Sequence, residues 1–218
     1  MILQCKVFPR CKCPWCVMNR SLIGLLLRWC PGALGLLLRQ KFYPSLLGSC
    51  GNGVLFGRFV DLQNAKNIHI GDNVVVSNRC GLLAGVEGKD QSIMIEDNVF
   101  IGIGTLLQAE AGTILLEKGT NLGSECRVVA RTPVTIGQNV LMAAYCVIGG
   151  EPCSSGDIQR DSFTKIGDNV WLGARCQVLS LMQIGEGAII GAHALVNRNI
   201  DAYGVVMGRP AIIVRYRK

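Results

Sequence analysis

Acid–base chemistry near neutral pH draws first on histidine, and this chain of 218 residues has two, His69 and His193. His69 directly precedes Ile70 and His193 stands three residues after Ile190. Neither has the paired acid or nucleophile that marks a catalytic group, so both read as outward polar residues. Two histidines are also too few for a three-histidine zinc centre. Thiolate chemistry would draw on Cys5, Cys11, Cys13 and Cys16. Their spacing, Cys-x5-Cys-x-Cys-x2-Cys, is not among the usual zinc patterns; a disordered tail is the preferred reading, a thiolate site the alternative, and no metal is expected. Carboxylates remain. Glu151, Asp157 and Asp161 share one irregular stretch, and a carboxylate becomes a general base when desolvation raises its pKa.

Charge narrows the function classes further. The net charge is +7, yet residues 1–48 hold seven basic residues and no acidic one, while the other 15 basic residues are balanced by 15 acidic ones. The main body therefore lacks the field of a polyanion binder, and no nucleic-acid partner is expected. The stretch from Leu22 to Leu47 is leucine-rich but broken by Arg28, Cys30-Pro31-Gly32, Arg39 and Lys41, so neither piece reaches the roughly 20 residues of a membrane span. It reads as two short helices, about 20–29 and 33–42, joined at the Pro-Gly. Leucines beside basic residues, with Trp29, Phe42 and Tyr43 as anchors, suit helices lying in a membrane interface; an apolar plug for the main body suits the same residues. No signal-peptide pattern precedes them, so a cytoplasmic protein is expected, peripheral at the inner membrane face. Met18, just before the first helix, is a second candidate start.

The elements that must position any site come from a repeat. From residue 50 an apolar residue, usually followed by glycine, returns every six positions, most plainly at Ile166, Leu172, Val178, Ile184, Ile190 and Val196. The same register gives Cys50, Phe56, Leu62; Ile70, Val76, Leu82; Ile95, Ile101, Leu107; Leu116, Leu122, Val128; and Ile136, Met142, Ile148. Every interruption follows the third hexapeptide of a set, so three hexapeptides make one triangular coil and all loops leave one corner. About seven coils stack at the inter-strand spacing of about 4.8 Å. The position four residues after an inward one is generally small, and Cys80, Cys126, Cys146 and Cys176 fall in one file, where they read as apolar filler. The domains are a basic tail over 1–19, an amphipathic helical segment over 20–48, the repeat over 49–200 and a C-terminal tail over 201–218.

Over about residues 20–218 this sequence resembles the hexapeptide-repeat acyltransferases, closest to the polysaccharide-biosynthesis O-acetyltransferases of the colanic-acid type. The resemblance rests on the N-terminal helices leading to Gly48-Ser49-Cys50-Gly51, on Ile166-Gly167-Asp168-Asn169-Val170-Trp171-Leu172-Gly173-Ala174, on Ile190-Gly191-Ala192 and on Gly208-Arg209-Pro210-Ala211. It implies an all-β, left-handed parallel β-helix with short N-terminal helices, a homotrimer, and acetyl-CoA lying between neighbouring prisms as acyl donor to a saccharide hydroxyl.

By the same resemblance Trp171, Gly173, Ala174, Gly191 and Ala192 border the pantetheine arm, small residues letting backbone amides approach the thioester, and Arg209 meets a CoA phosphate. The family's base is a histidine after the coil that ends here at Ile148, in a segment like Ile-Gly-Gly-x-His. This chain reads Ile148-Gly149-Gly150-Glu151-Pro152, with Pro152 in the expected histidine position and Glu151 beside it as the candidate base. Two functions follow: an acyl-CoA-dependent O-acyltransferase of cell-surface polysaccharide biosynthesis, or a catalytically silent β-helix that binds CoA or saccharide or scaffolds partners.

Overall fold

A computed structural model describes residues 29–30, 32–85, 91–152 and 163–217, with the backbone alone at 151 and 152. The expected helix over 20–29 and the four-cysteine tail lie outside the described residues, apart from Trp29. From Ser49 the chain winds as a left-handed parallel β-helix. Each of three faces carries seven parallel helix strands, and the second is lengthened by two more. Residues of the six-residue register pair with one another from coil to coil: Cys50 with Ile70, Ile70 with Ile95, and so on to Ile166 with Ile184. Of the 21 inward residues all are buried except Cys50 and Leu62, which are partly buried in the first coil.

Two corners of each coil turn through a left-handed residue three positions after the inward one. Between the first and second faces these are Gly53, Asn73, Asn98, Gly119, Asn139, Asn169 and Gly187, residue types that tolerate positive φ. The glycine of the repeat serves a different need. A Cβ on Gly173 would lie 2.6 Å from the Ala192 nitrogen, and one on Gly167 2.7 Å from that of Glu186. Glycine there lets the next coil sit down closely, while the residue two places on makes the turn.

The thiol file is buried as expected and also supplies hydrogen bonds. Cys80 donates to the Gly102 carbonyl at 3.1 Å, Cys126 to Ala143 at 3.0 Å and Cys146 to Gly173 at 3.1 Å; Thr105 does the same to Gly123 at 2.7 Å. Each bond satisfies a corner carbonyl of the coil above. Desolvation pushes the Cys80 thiol up to about 11. Buried and hydrogen-bonded to carbonyls, these side chains act as small filler along the axis.

The N-terminal end is closed by α1 (Gly32–Phe42) and a turn of 3-10 helix, Tyr43–Ser45. Tyr43 stacks edge-on against Phe56 with ring centres 5.2 Å apart, and Leu47 is buried beside them. The helix is pinned by a charged residue: Arg39 is buried, its Nε donating to the Phe56 carbonyl at 2.9 Å and its guanidinium to that of Cys30 at 3.0 Å. Arg39→Ala strands these carbonyls and costs about 1–3 kcal/mol. Because a solenoid's coils depend mainly on their neighbours, the loss stays local. Hydrogen exchange should quicken at Gly57, whose amide bonds Val76, while the Ile136 and Ile166 coils keep their protection.

At the other end the segment after residue 200 is more than a tail. Strands Gly204–Met207 and Ile212–Tyr216 form an antiparallel hairpin that extends the second face. Ile200, Val206 and Ala211 seal the last coil. Among the described residues no helix is long and apolar enough to cross a membrane.

Candidate active site

The third face breaks its regular pairing between the coils that begin at Ile136 and Ile166. Ile148 pairs with Val178, but the next partner of that strand is Pro152 with Ser180, so four residues run against two. Gly149 and Gly150 make the resulting bulge possible, with φ of 81° and 94°. A Cβ on Gly149 would strike the Val129 carbonyl, and Ser180 Oγ donates to the Gly150 carbonyl at 3.0 Å. The bulge carries Glu151 and Pro152 out to the edge from which the loops leave. One coil below, Arg131 and Glu110 pair at 3.0 Å on that edge.

The residues expected to border an acyl donor gather at the opposite edge of the third face, along its corner with the second face. Trp171 is half exposed on the second face, paired with Leu141 below and Ile189 above. Gly173 and Gly191 follow the inward residues of successive coils, but their amides are already spent on the Ile190 and Val206 carbonyls, at 2.7 and 2.8 Å. These two glycines supply close stacking rather than donors to a ligand. The next residues, Ala174 and Ala192, are different. Neither amide has a hydrogen-bond acceptor among the described residues, and the same holds for Asn78, Ile103, Ser124 and Ala144 at this position of the corner, where the Arg58 amide bonds the Asn78 side chain. Ala174 and Ala192 therefore offer two stacked donors on a surface kept low by their methyl groups. Arg209 is exposed in the turn Gly208–Ala211, which hydrogen-bonds to Leu195 and so tops the third face.

Sequence reading missed a further file on this corner. The left-handed positions here are Phe59, Arg79, Glu125, Tyr145, Arg175 and His193, with φ between 55° and 62°, interrupted by Gly104. Large non-glycine residues held at positive φ carry strain that clusters at functional sites. Arg175 lies over the Tyr145 ring, 5.5 Å from its centre, and His193 follows one coil later. The signal was available: on the other corner the same register position is Asn or Gly in all seven coils.

His69 lies elsewhere, on the first face, with Nδ1 2.9 Å from Ser49 Oγ. A groove of about 530 Å³ also opens on the first face, but Asp168, Glu186 and Asp201 outnumber Lys165 in its lining, a poor match for a phosphate-bearing ligand. Among the described residues no group of three metal-ligating side chains converges. Glu151 and the Trp171–Ala174 corner stand at opposite ends of the strand Gln177–Ser180, roughly 15 Å apart at about 3.3 Å per residue. One chain alone does not bring them together.

Comparison with known proteins bears on this arrangement. Residues 163–198 match the family model described as bacterial transferase hexapeptide (six repeats), and residues 92–132 that of the hexapeptide repeat of succinyl-transferase. An Escherichia coli K12 protein carrying the name "Putative lipopolysaccharide biosynthesis O-acetyl transferase" is 30% identical over 143 residues, covering 58% of this chain and 73% of that one. A Mycobacterium tuberculosis protein carrying the name "Probable acetyltransferase" is 30% identical over 128 residues, 55% of this chain but only 43% of its own length. A mutant N-acyltransferase from Bacillus cereus, solved with dTDP and coenzyme A, superposes with a TM-score of 0.54 at 18% identity, covering 83% of this chain and 90% of that one. That last likeness is one of fold.

Proposed function

Because the chain belongs to the bacterial hexapeptide-repeat transferases, we propose that it is an acyl-CoA-dependent O-acyltransferase, moving an acetyl group to a saccharide hydroxyl in cell-surface polysaccharide biosynthesis. The observation that carries the reading is exposed Trp171 beside Ala174 and Ala192, two small residues in the run of unpartnered amides along this corner. An extended amide-containing arm fits against this flat corner, with hydrogen bonds from those amides, contact with the indole, and Arg175 and Arg209 available to phosphate oxygens. Peripheral placement at the cytosolic membrane face belongs to the same proposal.

In the mechanism the acceptor hydroxyl attacks the thioester carbonyl. The Glu151 carboxylate takes the hydroxyl proton as the new C–O bond forms, an amide donor holds the oxyanion, and the C–S bond then breaks as Glu151 returns the proton to sulfur. Since Glu151 and the Trp171 corner lie at opposite edges of one prism, the reaction requires the Glu151 edge of one copy to face the Trp171 corner of the next. A cyclic homotrimer satisfies this three times over.

Pro152 in the family's histidine position favours a second reading, a β-helix that binds CoA without transferring the acyl group. Calorimetric titration of the full chain with acetyl-CoA and with CoA tests the common premise. One site per chain is expected, and Ala174→Trp should weaken it at least tenfold by filling the corner, with thermal stability kept. A folded wild type that binds neither compound overturns both readings.

A further inference from the structure

The cap helix is turned the unexpected way round. Its charged residue Arg39 faces the β-helix, buried and hydrogen-bonded to two carbonyls, while Leu34 and Leu37 face outward at 64% and 61% exposure, with Lys41 a turn further on. Trp29, 65% exposed, and Phe42, 44% exposed, widen this apolar face. Trp29 is held edge-on against Phe59, with ring centres 5.6 Å apart. Packing against the first coil therefore leaves the leucine face unused, although turning the helix over would bury the leucines and free the arginine.

What covers this face is indicated by charge. Residues 1–48 contain seven Lys and Arg and no Asp or Glu, and the stretch that leads into the helix, 20–28, adds Leu22, Leu25, Leu26 and Leu27 between Arg20 and Arg28. Exposed apolar side chains with Lys41 among them, in a segment whose sequence holds cations and no carboxylate, match the boundary of a bilayer containing anionic lipid, where acyl chains receive the leucines and headgroups the basic residues. We propose that the outer face of α1, with Trp29, Leu34, Leu37, Lys41 and Phe42, docks the protein on an anionic phospholipid surface. This rests on the membrane placement in the reading above and names its lipid and its contact residues. In a cyclic trimer of parallel prisms three such caps point the same way, so weak single contacts add.

Co-sedimentation of the full chain with vesicles tests this without any acyl transfer. Binding to phosphatidylcholine vesicles containing phosphatidylglycerol is expected to be about tenfold or more tighter than to phosphatidylcholine alone, and to weaken with added salt. Leu34→Glu combined with Leu37→Glu should abolish it, with acetyl-CoA binding, thermal midpoint and sedimentation coefficient unchanged, because both side chains are exposed. Wild-type protein that ignores anionic vesicles, or a double variant that still binds them, overturns the proposal. A double variant that sediments as a smaller species also overturns it, by assigning the face to a second copy. Loss of the acyltransferase reading alone leaves these outcomes untouched.

Discussion

Glu151→Gln is expected to lower kcat for acyl transfer by about 10²- to 10⁴-fold, the range over which a positioned general base acts, while the affinity for acetyl-CoA stays as in the wild type. The substitution keeps the shape and removes only the ability to accept a proton. The reason to expect so large an effect is positional. The Gly149-Gly150 bulge inserts two residues into an otherwise regular strand pairing and places Glu151 at the loop edge. Pro152→His is the companion measurement. If the wild type is slow and Pro152→His accelerates it, the base is missing and the silent reading stands. A fast wild type disabled by Glu151→Gln establishes the carboxylate. Steady-state kinetics with acetyl-CoA and a panel of saccharide hydroxyls, following release of the CoA thiol, separates the two.

Leu141→Glu should dissociate the assembly and with it remove acyl transfer altogether. Phe100, Leu141 and Trp171 lie exposed on the second face, in one file with Asn121 between the first two. An apolar stripe of this kind marks an interaction surface. A carboxylate at its centre would be buried unpaired in any interface formed there, a cost of several kcal/mol. Alone, the chain tolerates the change, because Leu141 already faces solvent. Sedimentation should therefore show a folded monomer with unaltered β-sheet content and no activity. A variant that remains trimeric and active would place the shared groove on another face.

These expectations stand on a fold largely legible in the sequence. A six-residue period is a direct physical signal, since each inward side chain meets its counterpart one coil away, and Ile166, Leu172 and Val178 were placed on three successive faces without ambiguity. What escaped was conformation and donor status. Gly173 and Gly191 looked like openings for a ligand, but their amides are committed to the next coil; the free donors belong to Ala174 and Ala192, which no side-chain pattern reveals. The left-handed Tyr145, Arg175 and His193 are visible only by comparing the two corners, because intrinsic preference puts Asn or Gly in such positions. Arg39 was counted among the basic residues of a membrane-facing helix, and only packing shows that it turns inward and leaves the leucines outside. The base position is legible only as a departure from a resemblance, with Glu151 reached by proximity.

The strict stacking of coils also governs how the chain reaches this state. Each strand of the coils pairs with its counterpart only 16 to 30 residues away, so a β-structure is assembled from comparatively local contacts, the kind that speed folding. During synthesis the cap and first coil emerge first. Each later coil then meets a finished edge of matching register, much as a crystal grows by addition to an existing layer. The hairpin Gly204–Tyr216 arrives after the coils and closes the growing edge, so until then the nascent chain carries an exposed template that another nascent chain of the same sequence can occupy.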